Sequence, residues 1–99
     1  MEKITFTSAL NGYMLAAGAR RLSQDTLRDY TTTFHKFLDF INQVPPIDEI
    51  TSEEVKAFLA SKDQISKKTL LNYHIGLSAL WTWCVDEDIV LEHIVRRLR

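Results

Sequence analysis

Residues 23–41 read SQDTLRDYTTTFHKFLDFI, and this stretch decides the fold. Its apolar residues recur every three or four positions, which places them on one face of an α-helix. Ser23 is a natural N-cap for that helix, and the carboxylate of Asp25 is favoured in its positive first turn. The helix must end before Pro45 and Pro46, because the residue before a proline is pushed out of the α region. The apolar face consists of Leu27, Tyr30, Phe34, Phe37, Leu38 and Ile41.

Helical periodicity continues on both sides of this stretch. It predicts a first helix that begins at Thr5 or Thr7 and ends near Ala17. A short third helix is predicted from Thr51, which opens a capping box, to a point near Ser61. The chain therefore alternates helices with short polar connections.

The C-terminal part contains one further clear helix. It is predicted to begin at the N-cap Ser66 and to break near Asp86, because a run of acidic residues is unfavourable at the negative end of a helix. Residues 89–99 form either a last helix, with Leu91, Ile94 and Leu98 on one face, or the start of a linker. No alternating pattern typical of a strand occurs, so the chain is predicted to be all-α.

The composition fits one small soluble domain. The chain has 99 residues, of which 45% are hydrophobic and 25% charged, and its net charge is −1. This charge total gives no signal for nucleic acid or membrane. Cys84 is the only cysteine, which excludes an internal disulfide and a thiolate metal cluster. The sequence lacks a signal-peptide pattern and any run of about 20 apolar residues, so we expect a cytoplasmic protein.

One motif, S-x-x-T-L-x-x-Y, occurs twice, at residues 23–30 and 66–73. In both copies the serine caps a helix, and the threonine lies at the third helical position. One interpretation is convergent helix-start chemistry. The other is a pair of anion-binding helix ends, because a helix N-terminus offers unpaired N–H groups and a partial positive charge. Basic residues flank both copies: Arg20, Arg21 and Arg28 at the first, and Lys62, Lys67 and Lys68 at the second.

The distribution of charge bears on this choice. Most acidic residues fall into two blocks, so the two basic helix starts are predicted to form a positive face if those blocks lie elsewhere on the bundle. The alternative is that the acidic runs are ordinary solvated surface. The blocks are Asp48, Glu49, Glu53 and Glu54, and Asp86, Glu87, Asp88 and Glu92.

Four stretches in this order and spacing resemble the core-binding domain of the tyrosine recombinases, the phage integrase family, also described as its SAM-like N-terminal domain. The stretches are residues 22–41, 47–55, 65–70 and 77–89. The resemblance covers residues 5–91, nearly the whole chain. It implies a compact bundle of four to five helices that clamps double-stranded DNA opposite a C-terminal catalytic domain of the same parent chain.

The resemblance also implies which residues contact DNA, because the starts of the second and fourth helices face the duplex in this family. Asp25 and Asp29 depart from the basic or amide residues common there, which favours the second site over the first. From the extent of the resemblance, residues 1–91 are predicted to form the domain and residues 92–99 a C-terminal helix or the start of a linker. Glu92-His93 departs from the Asn-Pro that ends this domain in many members. The predicted DNA-binding residues are Arg21, Ser23, Thr26, Arg28, Ser66, Lys67, Lys68, Thr69 and Asn72.

No catalytic site is predicted in the chain itself. His93 and Arg96 match the family's His-x-x-Arg element by letters only, since no tyrosine follows them. Cys84 and Trp81 lie on the core stripe of the fourth helix. The histidines lack metal-ligand spacing, and neither a cofactor nor a metal is implied. Tyr13, Tyr30 and Tyr73 lie on apolar stripes and are predicted to be core residues.

A second functional hypothesis is a helical protein-interaction module without DNA binding. Its surface would consist of Trp83 and the apolar stripe of residues 89–98. Under the DNA-binding hypothesis, the isolated domain is expected to be a non-enzymatic monomer, with catalysis supplied by the rest of its parent chain.

Overall fold

The computed structural model describes residues 3–61 and 65–96, which form a bundle of four α-helices. The described residues contain no β-strand, and their one β-bridge joins Thr5 to Pro46. The all-α prediction is confirmed. A short 3₁₀ helix, Ile47–Glu49, follows the two prolines and was not expected from the sequence. The helices are α1 (Phe6–Ala19), α2 (Gln24–Ile41), α3 (Ser52–Ala60) and α4 (Lys67–Asp86).

The helices begin where their N-caps predict. Ser23, Thr51 and Ser66 have extended backbones, and the side chain of each accepts a hydrogen bond from the backbone N–H three residues later. At α3 the capping box is complete, because the N–H of Thr51 also donates to Glu54 Oε1 at 3.0 Å. These bonds satisfy donors that a helix start otherwise leaves unpaired.

Three helix ends use left-handed residues that are not glycine: Asn42 after α2, with φ 55°, and one residue each after α1 and α4. After α1, Arg21 has φ 60°, and after α4, Asp88 has φ 59°. After Arg21 and Asp88 the next N–H bonds back to the carbonyl five residues earlier, Leu22 to Ala17 and Ile89 to Cys84. This is the Schellman arrangement, which usually places glycine at the left-handed position. Because the turn forms at Arg21, α1 continues past the predicted end near Ala17.

The core is built mainly from aromatic rings. The ring centroid of Phe6 lies 5.5 Å from that of Phe37 and 6.1 Å from that of Trp81, which joins α1 to α2 and α4. Phe58 of α3 lies 5.3 Å from Phe37 and 5.8 Å from Tyr73. All five side chains are buried. Offset and edge-on contacts of this kind stabilise a core beyond the area they bury.

The most extensive packing in the bundle is between α2 and α4. Gly76 of α4 faces α2 at this contact, where a Cβ would lie 3.4 Å from Tyr30 Cδ1 and 3.5 Å from Thr33 Cγ2, which is ordinary van der Waals distance. This packing sets the relative position of the two predicted DNA-contacting helices.

The chain after α4 packs against the bundle as an irregular segment. The sequence left residues 89–99 open as a last helix or the start of a linker, and the described residues 87–96 form turns and bends rather than a helix. Leu91 is 97% exposed, whereas Val90 and Val95 are buried. Ser52 Oγ donates to the carbonyl of Ile94 at 3.0 Å. The packed core thus continues to Val95, beyond the boundary predicted after residue 91, while Leu98 and Lys62 lie outside the described residues.

Candidate nucleic-acid interface

At the start of α2 the hydroxyl groups of Ser23 and Thr26 form a hydrogen-bonded pair on the protein surface. Ser23 Oγ accepts a hydrogen bond from the N–H of Thr26 at 3.1 Å and donates to Thr26 Oγ1 at 2.9 Å. The serine hydrogen is therefore used within the cap.

The start of α4 repeats this geometry. Ser66 Oγ accepts from the N–H of Thr69 at 3.1 Å and donates to Thr69 Oγ1 at 3.0 Å. The repeated sequence motif therefore builds the same local structure twice, as predicted.

The two starts differ in charge. Lys67 and Lys68 are exposed, and neither forms an ion pair with any residue in 3–61 or 65–96. From Ser66 to Val85 the sequence has no Asp or Glu. The start of α4 thus combines the positive end of a helix with two uncompensated lysines.

The start of α2 is partly compensated by its own acids. Arg28 Nη1 lies 3.4 Å from Asp25 Oδ1, and both side chains are largely exposed. Such a pair is weak and leaves the guanidinium available to a stronger anion. Asp29 adds a second carboxylate one turn into the helix.

A surface cleft of about 180 Å³ lies between the two helices. Thr26, Asp29 and Tyr30 of α2 line one side, and Asn72 and Ile75 of α4 line the other. Two predicted site residues, Thr26 and Asn72, therefore meet at one cleft, next to a carboxylate. The other predicted residues on these helices do not line it; they are Ser23, Arg28, Ser66, Lys67, Lys68 and Thr69.

A larger groove adjoins this cleft and shares Tyr30 and Ile75 with it. The groove measures about 420 Å³, and its lining includes Arg20 and His74 as well as Asp86. It was not predicted, because its walls come from α1, α2 and α4, which are distant in sequence.

Arg21 lies in the turn between α1 and α2. It is exposed, and within the described residues its side chain forms no ion pair. The left-handed backbone at this position is unfavourable for a residue with a Cβ. Arg21 thus stays a predicted contact whose backbone conformation the sequence did not reveal.

Sequence analysis missed two exposed apolar residues on α4. Leu71 is 57% exposed and Ile75 is 44% exposed, and both follow Lys68 on the same side of the helix. Their spacing from Lys68 could have identified them, because residues at i, i+3 and i+7 share one face.

His93 has a structural role that differs from a catalytic His-x-x-Arg histidine. Its Nδ1 accepts a hydrogen bond from the N–H of Arg96 at 2.9 Å. The ring proton must then be on Nε2, which lies 3.1 Å from the carbonyl oxygen of Ser78 and 3.0 Å from Thr82 Oγ1. Burial lowers the pKa of His93, and the positive charge of Arg96 lowers it further. The neutral ring thus holds the C-terminal segment against α4.

The other residues considered for chemistry belong to the core. Cys84 is fully buried, and burial raises the pKa of its thiol to about 12, which suits a packing residue rather than a nucleophile. Tyr13 and Tyr73 are buried, and Tyr30 is half-buried against Tyr13. Trp81 is buried as predicted.

The surface of the protein-interaction hypothesis stays partly accessible: of its apolar stripe, Leu91 is exposed and Ile94 is half-buried. Trp83 is half-buried, and its ring contacts that of Tyr13 edge-on at 6.0 Å. Val90 and Val95 face the core, which leaves Leu91 as the strongly exposed apolar side chain of the described segment.

Comparison with known families identifies the class of the domain. The family model of the N-terminal SAM-like domain of phage integrase matches residues 10–90. The chain belongs to this family, and the resemblance noted in the sequence is confirmed. No curated protein and no solved structure shows significant similarity to it. In the described part of the chain, no helix is long and apolar enough to cross a membrane, and no three potential ligand side chains are grouped to hold a metal ion.

Proposed function

We propose that this domain binds double-stranded DNA through the starts of α2 and α4, as the clamping half of a site-specific tyrosine recombinase. The catalytic residues would lie in a C-terminal domain of the same parent chain. The observation that supports this best is the doubled serine–threonine cap, one copy of which carries two unpaired lysines.

The chemistry at each cap suits a phosphate. The first-turn N–H groups and the threonine hydroxyl can donate hydrogen bonds, and the helix end adds a partial positive charge. At α4, Lys67 and Lys68 supply full charges beside these donors. Backbone contacts of this kind provide most of the affinity and fix the position of a protein on the duplex.

The two helix starts contribute unequally under this proposal. Asp25 and Asp29 repel phosphate at α2, whereas the first five turns of α4 carry no acid. We therefore assign the stronger contact to α4. Lys68, Thr69 and Asn72 are the residues proposed to reach base edges, since their side chains are of the types that read bases in the major groove.

The test is a titration of a fluorescent 20-base-pair duplex, followed by anisotropy at two salt concentrations. The isolated domain is expected to bind with a Kd of roughly 10⁻⁴–10⁻⁶ M and to weaken as salt rises, because counterions are released from DNA. The double variant Lys67→Glu/Lys68→Glu is expected to abolish binding.

A matched control separates local charge from net charge. Lys36→Glu/Lys56→Glu changes the total charge by the same amount at exposed positions on α2 and α3 that do not line the cleft. This variant is expected to keep most of the affinity. Binding that ignores salt, or equal losses in both double variants, would contradict the proposal, provided that circular dichroism finds both variants folded.

A further inference from the structure

Helix α4 carries two stripes of side chains on opposite faces. The core stripe of α4 is buried and consists of Tyr73, Leu77, Leu80, Trp81 and Cys84. The second stripe faces solvent. Its four members are exposed and spaced at i, i+3, i+4 and i+7, so they form one continuous strip: Lys68, Leu71, Asn72 and Ile75.

This outer stripe has an unusual composition for a solvent-exposed helix face. Its lysine and asparagine alternate with two large aliphatic side chains, of which Leu71 is 57% exposed and Ile75 is 44% exposed. A single exposed leucine needs no explanation, but two aliphatic residues on successive turns beside an amide and a cation make a mixed recognition surface.

The dimensions suit the major groove of a duplex. From Lys68 to Ile75 the helix rises about 10 Å, at 1.5 Å per residue. That length corresponds to about three base pairs at 3.4 Å each, and the major groove is about 12 Å wide, enough to admit a helix.

We propose that Leu71 and Ile75 contact the C5 methyl groups of thymines, so that the outer stripe of α4 prefers A·T base pairs. The proposal rests on the DNA binding proposed above and adds its sequence preference. In the major groove an A·T pair presents a donor and an acceptor on adenine beside the thymine methyl group. Asn72 matches the adenine edge, and the neighbouring Leu71 matches the methyl group.

Charge favours DNA over a protein as the occupant of the stripe. Lys68 heads the stripe, Lys67 flanks it, and neither is paired with an acid among the described residues. No Asp or Glu occurs from Ser66 to Val85, so α4 itself carries no carboxylate before its last residue, and Asp29 of α2 is the acid that lines the cleft beside Asn72 and Ile75. DNA is a polyanion whose major groove exposes thymine methyl groups, so it matches both the lysine and the aliphatic residues of the stripe.

The test removes the thymine methyl group and leaves the hydrogen-bonding groups of the base pair unchanged. Anisotropy titrations compare an alternating dA·dT duplex with the same duplex in which every thymine is replaced by uracil. The wild-type domain is expected to bind the thymine duplex more tightly, by about fourfold for each methyl group buried, which corresponds to about 0.8 kcal/mol. Leu71→Ala is expected to reduce this preference, and Leu71→Ala/Ile75→Ala to abolish it.

Leu15→Ala is the control for a general loss of apolar surface, because Leu15 is 78% exposed and lies on α1. It is expected to keep the full preference for thymine. All three variants alter exposed side chains, and thermal unfolding checks that each remains folded.

The outcomes distinguish the two proposals. Salt-dependent binding with equal affinity for the thymine and uracil duplexes would overturn the methyl contact and leave DNA binding intact. Failure to bind any duplex would overturn both. Sedimentation equilibrium provides the other arm: a wild-type dimer that Leu71→Ala/Ile75→Ala converts to a monomer would make the stripe an interface between copies and overturn the proposal.

Discussion

At the scale of single residues, His93 shows how one side chain fastens a segment that has no regular structure. Both ring nitrogens are engaged, with Arg96 on one side and Ser78 and Thr82 on the other. The groups that face the ring and bear on its charge are Arg96 in the same segment and His74 on α4, and both disfavour protonation. Protonation would place a hydrogen on Nδ1, which then could no longer accept from the N–H of Arg96.

This arrangement predicts a pH-dependent contribution to stability. Because the folded state lowers the pKa of His93 below its ordinary value of 6.5, the contribution is complete above about pH 6.5 and is lost as the pH falls through the folded-state pKa. His93→Ala is expected to reduce the free energy of unfolding by about 1 kcal/mol at pH 7.5, the usual worth of a hydrogen bond. The difference from wild type should shrink towards pH 5.

Urea unfolding at several pH values measures this effect. The exposed His35 provides the control, since His35→Ala removes a histidine that makes no side-chain hydrogen bond among the described residues. A difference between His93→Ala and wild type that stays constant from pH 7.5 to pH 5 would contradict the assigned role.

Single residues also mark what sequence could and could not reveal. Ser23, Thr51 and Ser66 were identifiable because an N-cap acts through atoms only three residues away. The left-handed residues Arg21 and Asp88 were not, because the glycine that normally signals such a turn is absent at both positions.

At the scale of elements, the two copies of the cap offer a matched pair of substitutions. Ser23→Ala and Ser66→Ala each remove the same hydrogen bonds from a helix start, so each is expected to lower the free energy of unfolding by about 1 kcal/mol. Their effects on DNA affinity should differ, with the larger loss for Ser66→Ala, because the lysines adjoin that cap.

Urea unfolding and duplex titration of the same two proteins provide the comparison. Ser23→Gly and Ser66→Gly supply a further check, since glycine is a far better N-cap than alanine and should restore most of the stability but no hydroxyl. Equal effects of the two alanine variants on affinity would argue against a dominant role for α4.

Helix packing explains the glycine inside α1. Gly12 lies inside α1, where glycine weakens a helix. A Cβ at that position would come within 2.8 Å of Trp83 Cη2, so the glycine makes room for the indole ring. The reason lies on α4, about 70 residues along the chain, and no local pattern could have indicated it.

At the scale of the whole molecule, the C-terminal segment belongs to the fold rather than to a loose connection. Val95 is fully buried, and Ile94 is bound by Ser52 of α3. The boundary after residue 91 was predicted from the extent of the family resemblance, and the sequence could not reveal the burial of this segment because it depends on contacts with α3 and α4.

Truncation tests the extent of the domain. A chain that ends at residue 91 loses the buried Val95 side chain and the bonds of His93, and we expect its free energy of unfolding to fall by roughly 2–4 kcal/mol. A chain that ends at residue 96 keeps every contact described for the segment and serves as the control. Equal melting temperatures for the two truncated chains would show that residues 92–96 contribute nothing to the fold.

The core stripe and the outer stripe lie on opposite faces of α4, so both depend on the same helical register. Inserting one residue before Gly76 would rotate the preceding turns by about 100° relative to those that follow. Tyr73 would swing out of the interior while Leu71 and Lys68 moved away from their present direction. A replacement on the outer stripe therefore leaves the interior in place, but a deletion or an insertion within this helix would disrupt the interior and the exterior at once.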